Sequence, residues 1–255
     1  MPKLQEKRVL VTGASKGLGA VVAPALADGG ARLALMARTH DRLEAVRCAC
    51  PFPEKHLSLA LDLLNMDDLR RGVVRAQDFL GGIDVVLHAA GGGLGFRDPL
   101  LSWSEFLQLF TLNLGAAVEI NRLVVPEMKT RHSGNLVHVG SIASSEGVGS
   151  VGYNTAKAGL AAYVRTLGRE LATFGIVATG ILPGGFTGPG NAMERLEANN
   201  PAAYRQFVEE RLPRKVMGQA KELIPMLLML CSEEASMMGG CMVPIDAGEG
   251  RSYNL

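Results

Sequence analysis

The chain is predicted to fold as an α/β protein: a doubly wound parallel sheet of about seven strands with helices on both faces. Three observations predict this. Short apolar runs recur along its 255 residues with helical stretches between them. The first run ends in a glycine-rich turn that opens a helix, and a Tyr–Lys pair at helical spacing, Tyr153 and Lys157, stands near the start of a long later helix. Alternating strands and helices of this kind are built from right-handed βαβ units around one parallel sheet. The length suits one domain spanning 1–255, with no composition break to divide it.

Taken in order, the first strand is Arg8–Val11, an apolar run of the sort buried on both sides. Thr12 and Gly13 close it, Gly17 and Gly19 follow, and Ala20–Ala27 reads as a helix. Further strand-like runs are Arg32–Met36, Leu57–Ala60, Val85–His88, Asn135–Val139, Ile176–Ile181 and Met242–Pro244. Ser102 with Glu105 three residues on forms a capping box, predicting a helix that continues through Asn113 towards Glu127. Its apolar content exceeds one buried face, which fits either a subunit contact or burial within its own domain. Tyr153–Phe174 reads as one helix. Gly184–Gly190 is the least regular stretch, and the polar, helix-prone Asn191–Glu210 after it predicts a flap over a site, spanning about 187–213.

Two of these features carry chemistry. A strand, a glycine turn and a helix N-terminus form a diphosphate site, because backbone N–H groups and the positive helix end face the anion. The glycines allow an anion closer to the backbone than a Cβ would permit. Side chains four residues apart share a helical face, so Tyr153 and Lys157 stand side by side. A phenol with an ordinary pKa near ~10 is too weak an acid at neutral pH, and a neighbouring ammonium is expected to lower that value.

Composition excludes several other classes. The formal net charge is +1, with the charges dispersed, so nothing points to nucleic acid or an anionic membrane. The N-terminus enters the first strand too soon for a signal peptide. Leu223–Cys231 is too short to span a bilayer and contains Pro225. Cys48, Cys50, Cys231 and Cys241 show neither metal-ligand spacing nor a disulfide framework, so no metal is expected and the compartment is read as reducing and cytoplasmic.

These residues together resemble the short-chain dehydrogenase/reductases, in the compact branch that includes the 3-oxoacyl-acyl-carrier-protein reductases. The T-G-A-S-K-G-L-G turn, Tyr153-x-x-x-Lys157, Ser141 in V-H-V-G-S, Asn113 in F-T-L-N-L-G and Pro183-Gly184 match its motifs in the right order over essentially the whole length. The resemblance implies a Rossmann-type fold and a catalytic set of Asn113, Ser141, Tyr153 and Lys157. Ser141 would polarise a substrate carbonyl, Tyr153 would protonate it, and Lys157 would bind ribose hydroxyls and lower the Tyr153 pKa. Asn113 would hold a water at a local break in its helix. Taken singly, Ser141 and Asn113 also fit plain turn-capping roles. The implied cofactor contacts begin in the turn, at Gly13, Ser15, Lys16, Gly17, Leu18 and Gly19. They continue at Arg38, Asp62 and Leu63, then Ala90 and Gly91, and finally Tyr153, Lys157, Pro183, Gly184 and Thr187.

NAD proteins place an acid about 20 residues beyond the glycines to bind the adenosine ribose. Here Ala37 and Arg38 occupy that place, and the first acid is Asp41. A guanidinium pairs with a 2′-phosphate that a carboxylate would repel, and Lys16 adds a second cation, so NADP(H) is the expected cofactor. Asp62 would accept from the adenine amino group, cap the next helix, or both.

The chain departs from the family at His88-Ala89-Ala90-Gly91, where Asn-Asn-Ala-Gly is usual, and Thr187 stands one place early. The expected activity is NADPH-dependent reduction of a ketone. A 3-oxoacyl thioester, a keto-sugar or a secondary-metabolite ketone would each serve as substrate, and a catalytically silent nucleotide-binding protein is the alternative. A homo-oligomer, dimer or tetramer, is expected. An acidic acyl carrier would need a basic patch, for which Arg122, Lys129 and Arg131 are the candidates.

Overall fold

A computed structural model describes residues 4–252. The chain begins with β1 (Arg8–Thr12), α1 (Gly17–Asp28), β2 (Arg32–Ala37), α2 (His40–Ala49), β3 (Leu57–Ala60), α3 (Met66–Leu80) and β4 (Val85–His88). Next come α4 (Trp103–Phe110), α5 (Ala116–Arg131), β5 (Gly134–Val139), α6 (Val151–Leu171) and β6 (Ile176–Pro183). The last third holds β7 (Phe186–Thr187), α7 (Ala192–Asn199), α8 (Pro201–Arg211), β8 (Gly218–Gln219), α9 (Ile224–Leu230) and β9 (Met242–Ile245). Seven strands form one parallel sheet in the order β3-β2-β1-β4-β5-β6-β9.

Period-two alternation explains why the strands read as unbroken apolar runs. Val9 and Val11 of β1 pack with α1 and α9 through Val22, Leu26 and Leu227. Leu10, between them, faces α3 and α5 through Val73, Leu80, Ile120 and Val124. With helices on both faces, every position of a central strand is buried.

All seven expected strands are present, and the differences lie between them. Helix α1 starts at Gly17, inside the glycine turn and ahead of the expected Ala20. The segment expected as a flap is two helices, because Asn200 caps α8 and Pro201 takes its first position, where a missing N–H costs nothing. A two-stranded sheet of β7 and β8 anchors its base. Asn65, not Asp62, caps α3 by accepting from Asp67 and Asp68 amides. Between α4 and α5 the helix passes through one π turn, Thr111–Gly115, which is the local break expected at Asn113. One face of this helix pair is buried within the domain, through Leu109, Ile120 and Val124, while Trp103, Leu107 and Val118 on another stay exposed.

Parallel order reverses between β1 and β4. At such a switch point the crossovers leave in opposite directions, and a crevice opens beyond the strand carboxyl ends.

Candidate active site

The floor of the crevice is a close backbone contact. Gly13 follows β1 at φ +70°, and a Cβ there would lie 2.7 Å from Ala90 Cα. Ala90 N donates to Thr12 Oγ1 at 3.3 Å, tying the ends of β1 and β4 together. Only glycine meets both the left-handed backbone and the approach. Past Gly13 the turn enters α1, whose first turn has no acid and no side-chain cap. Ser15 and Lys16 line the turn, with Gly17, Leu18 and Gly19 buried in the helix start.

The end of β4 meets two buried polar side chains. Asn113 Oδ1 accepts from Gly92 N at 2.9 Å, and its Nδ2 donates to Gly92 O at 3.0 Å and Leu109 O at 2.9 Å. The Leu109 O bond reaches back four residues from the π turn in which Asn113 sits. A Cβ on Gly91 would lie 2.8 Å from Asn113 Oδ1 and 3.1 Å from Lys157 Nζ. Gly91 is therefore where Asn113 and Lys157 converge.

Tyr153 and Lys157 share a face of α6, with Lys157 Nζ 5.8 Å from the Tyr153 ring centroid. Lys157 is 3% exposed, and its ammonium donates to Val139 O at 2.8 Å, at the end of β5. Burial holds its pKa down to about 8. Two residues further along the chain, Ser141 caps a short turn by accepting from Ala143 N at 3.1 Å. Tyr153 is half-buried and hydrogen-bonds Ser141. Its phenol runs against the sequence expectation: burial raises its pKa, and the Ser141 bond opposes that only in part. Lys157 does not produce the expected lowering, because its own charge is desolvated and directed at Val139 O.

Beneath this group lies a buried polar network that the sequence reading did not anticipate. His138 Nδ1 lies 3.1 Å from Thr179 O and must carry the proton there, so Nε2 accepts from Asn121 Nδ2 at 3.3 Å. Asn121 Oδ1 then accepts from His88 Nε2 at 2.8 Å, and its Nδ2 also donates to Tyr163 Oη at 3.1 Å. The two imidazoles stack at 4.6 Å. Burial drives His138 down to about 4 and His88 well below its ordinary value, so both rings are neutral.

At the outer end of the crevice Arg38 is exposed just past β2. Lys16 is not alone with it. Its ammonium is lowered by burial and then by three guanidiniums, those of Arg195, Arg38 and Arg42. Arg42 had a signal that was passed over, since it stands four residues beyond Arg38 on the first turn of α2. Arg195 had none, because α7 is brought there by an irregular loop. Asp62 Oδ1 accepts from Leu64 N at 3.0 Å, next to the buried Leu63, leaving the second carboxylate oxygen for another donor.

The remaining wall follows β6. Pro183 ends the strand, and Gly184 N donates to Ile245 O at 3.2 Å. Gly185 N donates to Glu249 Oε2 at 2.5 Å, and Arg211 Nη2 of α8 donates to Glu249 Oε1 at 2.9 Å. This buried carboxylate, 6% exposed, is a further residue missed from sequence. Thr187 lies in β7 with its hydroxyl donating to Gly218 O at 3.3 Å.

The basic patch expected for an acidic carrier is not at this site. Arg131 Nη2 donates to Ile83 O at 2.7 Å, at the opposite end of β4, and also pairs with Glu127. Arg122 is engaged by Glu119 at 2.8 Å, and Lys129 stacks over Phe174 at 4.4 Å. Helix α5 runs antiparallel to the strands, which carries its last turn away from their carboxyl ends.

A switch-point crevice with a glycine turn, a capless helix end and polar side chains from three elements defines a dinucleotide-binding oxidoreductase of Rossmann type. The chain belongs to the short-chain dehydrogenase family: the profile described as short chain dehydrogenase matches residues 7–199. Levodione reductase of Leifsonia aquatica is 30% identical, with 98% of this chain and 97% of that one covered. The 3-oxoacyl-acyl-carrier-protein reductase FabG of Aquifex aeolicus is 28% identical over 96% of this chain and 98% of that protein. L-sorbose reductase from Gluconobacter frateurii, solved with NADPH and L-sorbose, superposes with a TM-score of 0.88 at 27% identity, covering 99% of this chain and all of that one.

Proposed function

We propose that the protein is an NADPH-dependent carbonyl reductase acting on a ketone, with Tyr153 as proton donor. The observation that carries this reading is the convergence of Asn113, Ser141, Tyr153 and Lys157 from three elements around the end of β4. The crevice fits a nicotinamide dinucleotide. Gly13 brings the turn against the end of β4, α1 opens with no acid and no side-chain cap, and Lys16, Arg38 and Arg42 supply cations where a 2′-phosphate would lie. When bound, that cofactor supplies the hydride.

The protein's own groups do the rest. Ser141 donates to the carbonyl oxygen and fixes its position beside the Tyr153 hydroxyl. Tyr153 delivers its proton to that oxygen as negative charge develops there. Its raised pKa keeps it protonated and ready to donate in the resting state. Lys157, with an ammonium near neutrality in its acid strength, contacts the ribose hydroxyls and replenishes the phenol. Asn113 holds Gly92 and a water that joins Lys157 to solvent. Ser15, Gly17, Leu18 and Gly19 would hold the diphosphate, and Asp62 with Leu63 would hold the adenine edge. Ala90, Gly91, Pro183, Gly184 and Thr187 border the nicotinamide half, and segment 187–213 closes over the substrate.

Small ketones are favoured over carrier-bound thioesters, because Lys129 and Arg131 lie away from the crevice and Arg122 is engaged by Glu119. The names of the relatives divide between the two, with levodione and L-sorbose reductases on one side and FabG on the other. The exposed Trp103, Leu107 and Val118 are the proposed contact face of a homo-oligomer.

The test is NADPH oxidation with a panel of a cyclic diketone, a ketose, acetoacetyl thioester and its acyl-carrier conjugate. Turnover is expected with at least one small ketone. In Tyr153→Phe it should fall by roughly three orders of magnitude or more while NADPH still binds. Full activity in that variant removes the proposed acid, and binding without turnover across the panel supports the silent alternative.

A further inference from the structure

We propose that Arg195, carried on α7 of the flap, completes a cationic cage with Lys16, Arg38 and Arg42 for the 2′-phosphate of the cofactor, coupling its recognition to flap closure. The inference rests on the NADPH reading above and goes beyond it, since it assigns the fourth cation and the motion it controls.

Gly190, the last loop residue but one before α7, is where the side chains meet. A Cβ built on it would lie 3.6 Å from Arg42 Nη1 and 3.6 Å from Lys16 Cβ. Arg195 Nη1 donates to Gly190 O. Three cationic side chains thus gather round one residue, and Arg38 enters the same field from the end of β2. The loop is seated on the glycine turn by Gly17 N, which donates to Pro189 O at 2.6 Å. Asn191 fixes the entry to α7, donating to Phe186 O at 2.8 Å and accepting from Glu194 N at 3.0 Å.

Charge balance shows what the cage lacks. Glu194 is the one carboxylate placed on this hub among the described residues, accepting from Gly190 N at 2.5 Å. Asp41 is turned to His40 at 3.3 Å. Four cations against one carboxylate repel one another, and Lys16 registers the repulsion in its lowered pKa, after burial. A phosphate dianion relieves that repulsion and takes bidentate donation from a guanidinium. A ribose hydroxyl does neither. Because Arg195 belongs to the flap while the other three belong to the body, a 2′-phosphate pulls the two together. NADH, lacking that phosphate, would bind without ordering segment 187–213.

The experiment uses 2′,5′-ADP and 5′-ADP as probes, with calorimetric affinities and hydrogen exchange over 187–213. The full chain is expected to bind 2′,5′-ADP at least tenfold tighter than 5′-ADP and to protect flap amides only with the former. Arg195→Gln should lose about tenfold in 2′,5′-ADP affinity, retain its 5′-ADP affinity and lose the flap protection. Arg195→Lys should recover most of both, and Arg205→Gln, on the exposed face of α8, should match the parent. If Arg38→Gln loses the preference while Arg195→Gln keeps both preference and protection, the cage lacks Arg195 and the NADPH reading stands. If the parent protein binds both probes equally, the NADPH reading itself fails and this inference with it.

Discussion

Replacing Lys157 with methionine should stabilise the protein at neutral pH and destabilise it in alkali. Lys157 is 3% exposed, and its ammonium titrates at about 8 instead of the ordinary 10.5. At about 1.4 kcal/mol per pH unit, that displacement represents roughly 3 kcal/mol of unfavourable burial of the charged form. The unfolded chain holds the extra proton between about pH 8 and 10.5, so native stability rises with pH across that window. The handicap is complete below about 8 and gone above 10.5. Methionine fills a similar volume without a charge, but it leaves Val139 O without its donor, a loss of about 1 kcal/mol. The variant should therefore exceed the parent by about 2 kcal/mol at pH 7 and fall below it by about 1 kcal/mol at pH 10.5. Urea unfolding followed by far-UV circular dichroism, without cofactor and at fixed protein concentration, measures both differences. A difference that does not change with pH would show that the ammonium is not desolvated in the native state. A neutral-pH gain would also mean that this lysine is kept for chemistry at the expense of stability.

Acid should act through the histidine network. Protonating His138 turns Nε2 from acceptor into donor opposite the Asn121 amide, so the folded state resists the proton. Stability should fall as pH drops from about 6.5 to about 4, by roughly 3 kcal/mol for this ring alone, and His138→Asn should flatten that slope in pH-dependent urea melts. Gly13→Ala should lose NADPH binding and at least about 2 kcal/mol, since its Cβ meets Ala90 backbone at positive φ. Gly93→Ala, with open space around it, should cost under about 0.5 kcal/mol; equal losses in thermal melts would refute the packing argument. Glu249→Ala strips partners from Gly185 N and Arg211 and should cost about 1–3 kcal/mol. Trypsin cleavage within 187–213 should accelerate severalfold, and an unchanged rate would remove Glu249 as the tether of the flap.

What could be read from sequence was set by how local the determining contacts are. The β1 run is legible because Val9, Leu10 and Val11 are all buried, each against one of the two helix layers. Tyr153 and Lys157 are legible because one helical turn joins them, and the glycine turn because its three glycines stand within seven residues between a strand and a helix. Arg195 and Glu249 were not. The first reaches the glycine turn through an irregular loop, and the second reaches Gly185 across 64 residues of chain. The Tyr153 pKa was misjudged for a related reason: spacing gives adjacency to Lys157 but not the depth at which both are desolvated. The misplaced basic patch is different, because topology alone corrects it. A crossover helix between parallel strands begins at their carboxyl ends and finishes at their amino ends. Asn113, ahead of the first turn of α5, is therefore at the site, and Arg131, in its last turn, is at Ile83 and Asp84 on the far side. The same rule governs any macromolecular carrier of substrate. Its docking cations would have to lie after β4 or β6, where Arg97 and Arg205 are exposed, and none can come from the last turns of α3, α5 or α6.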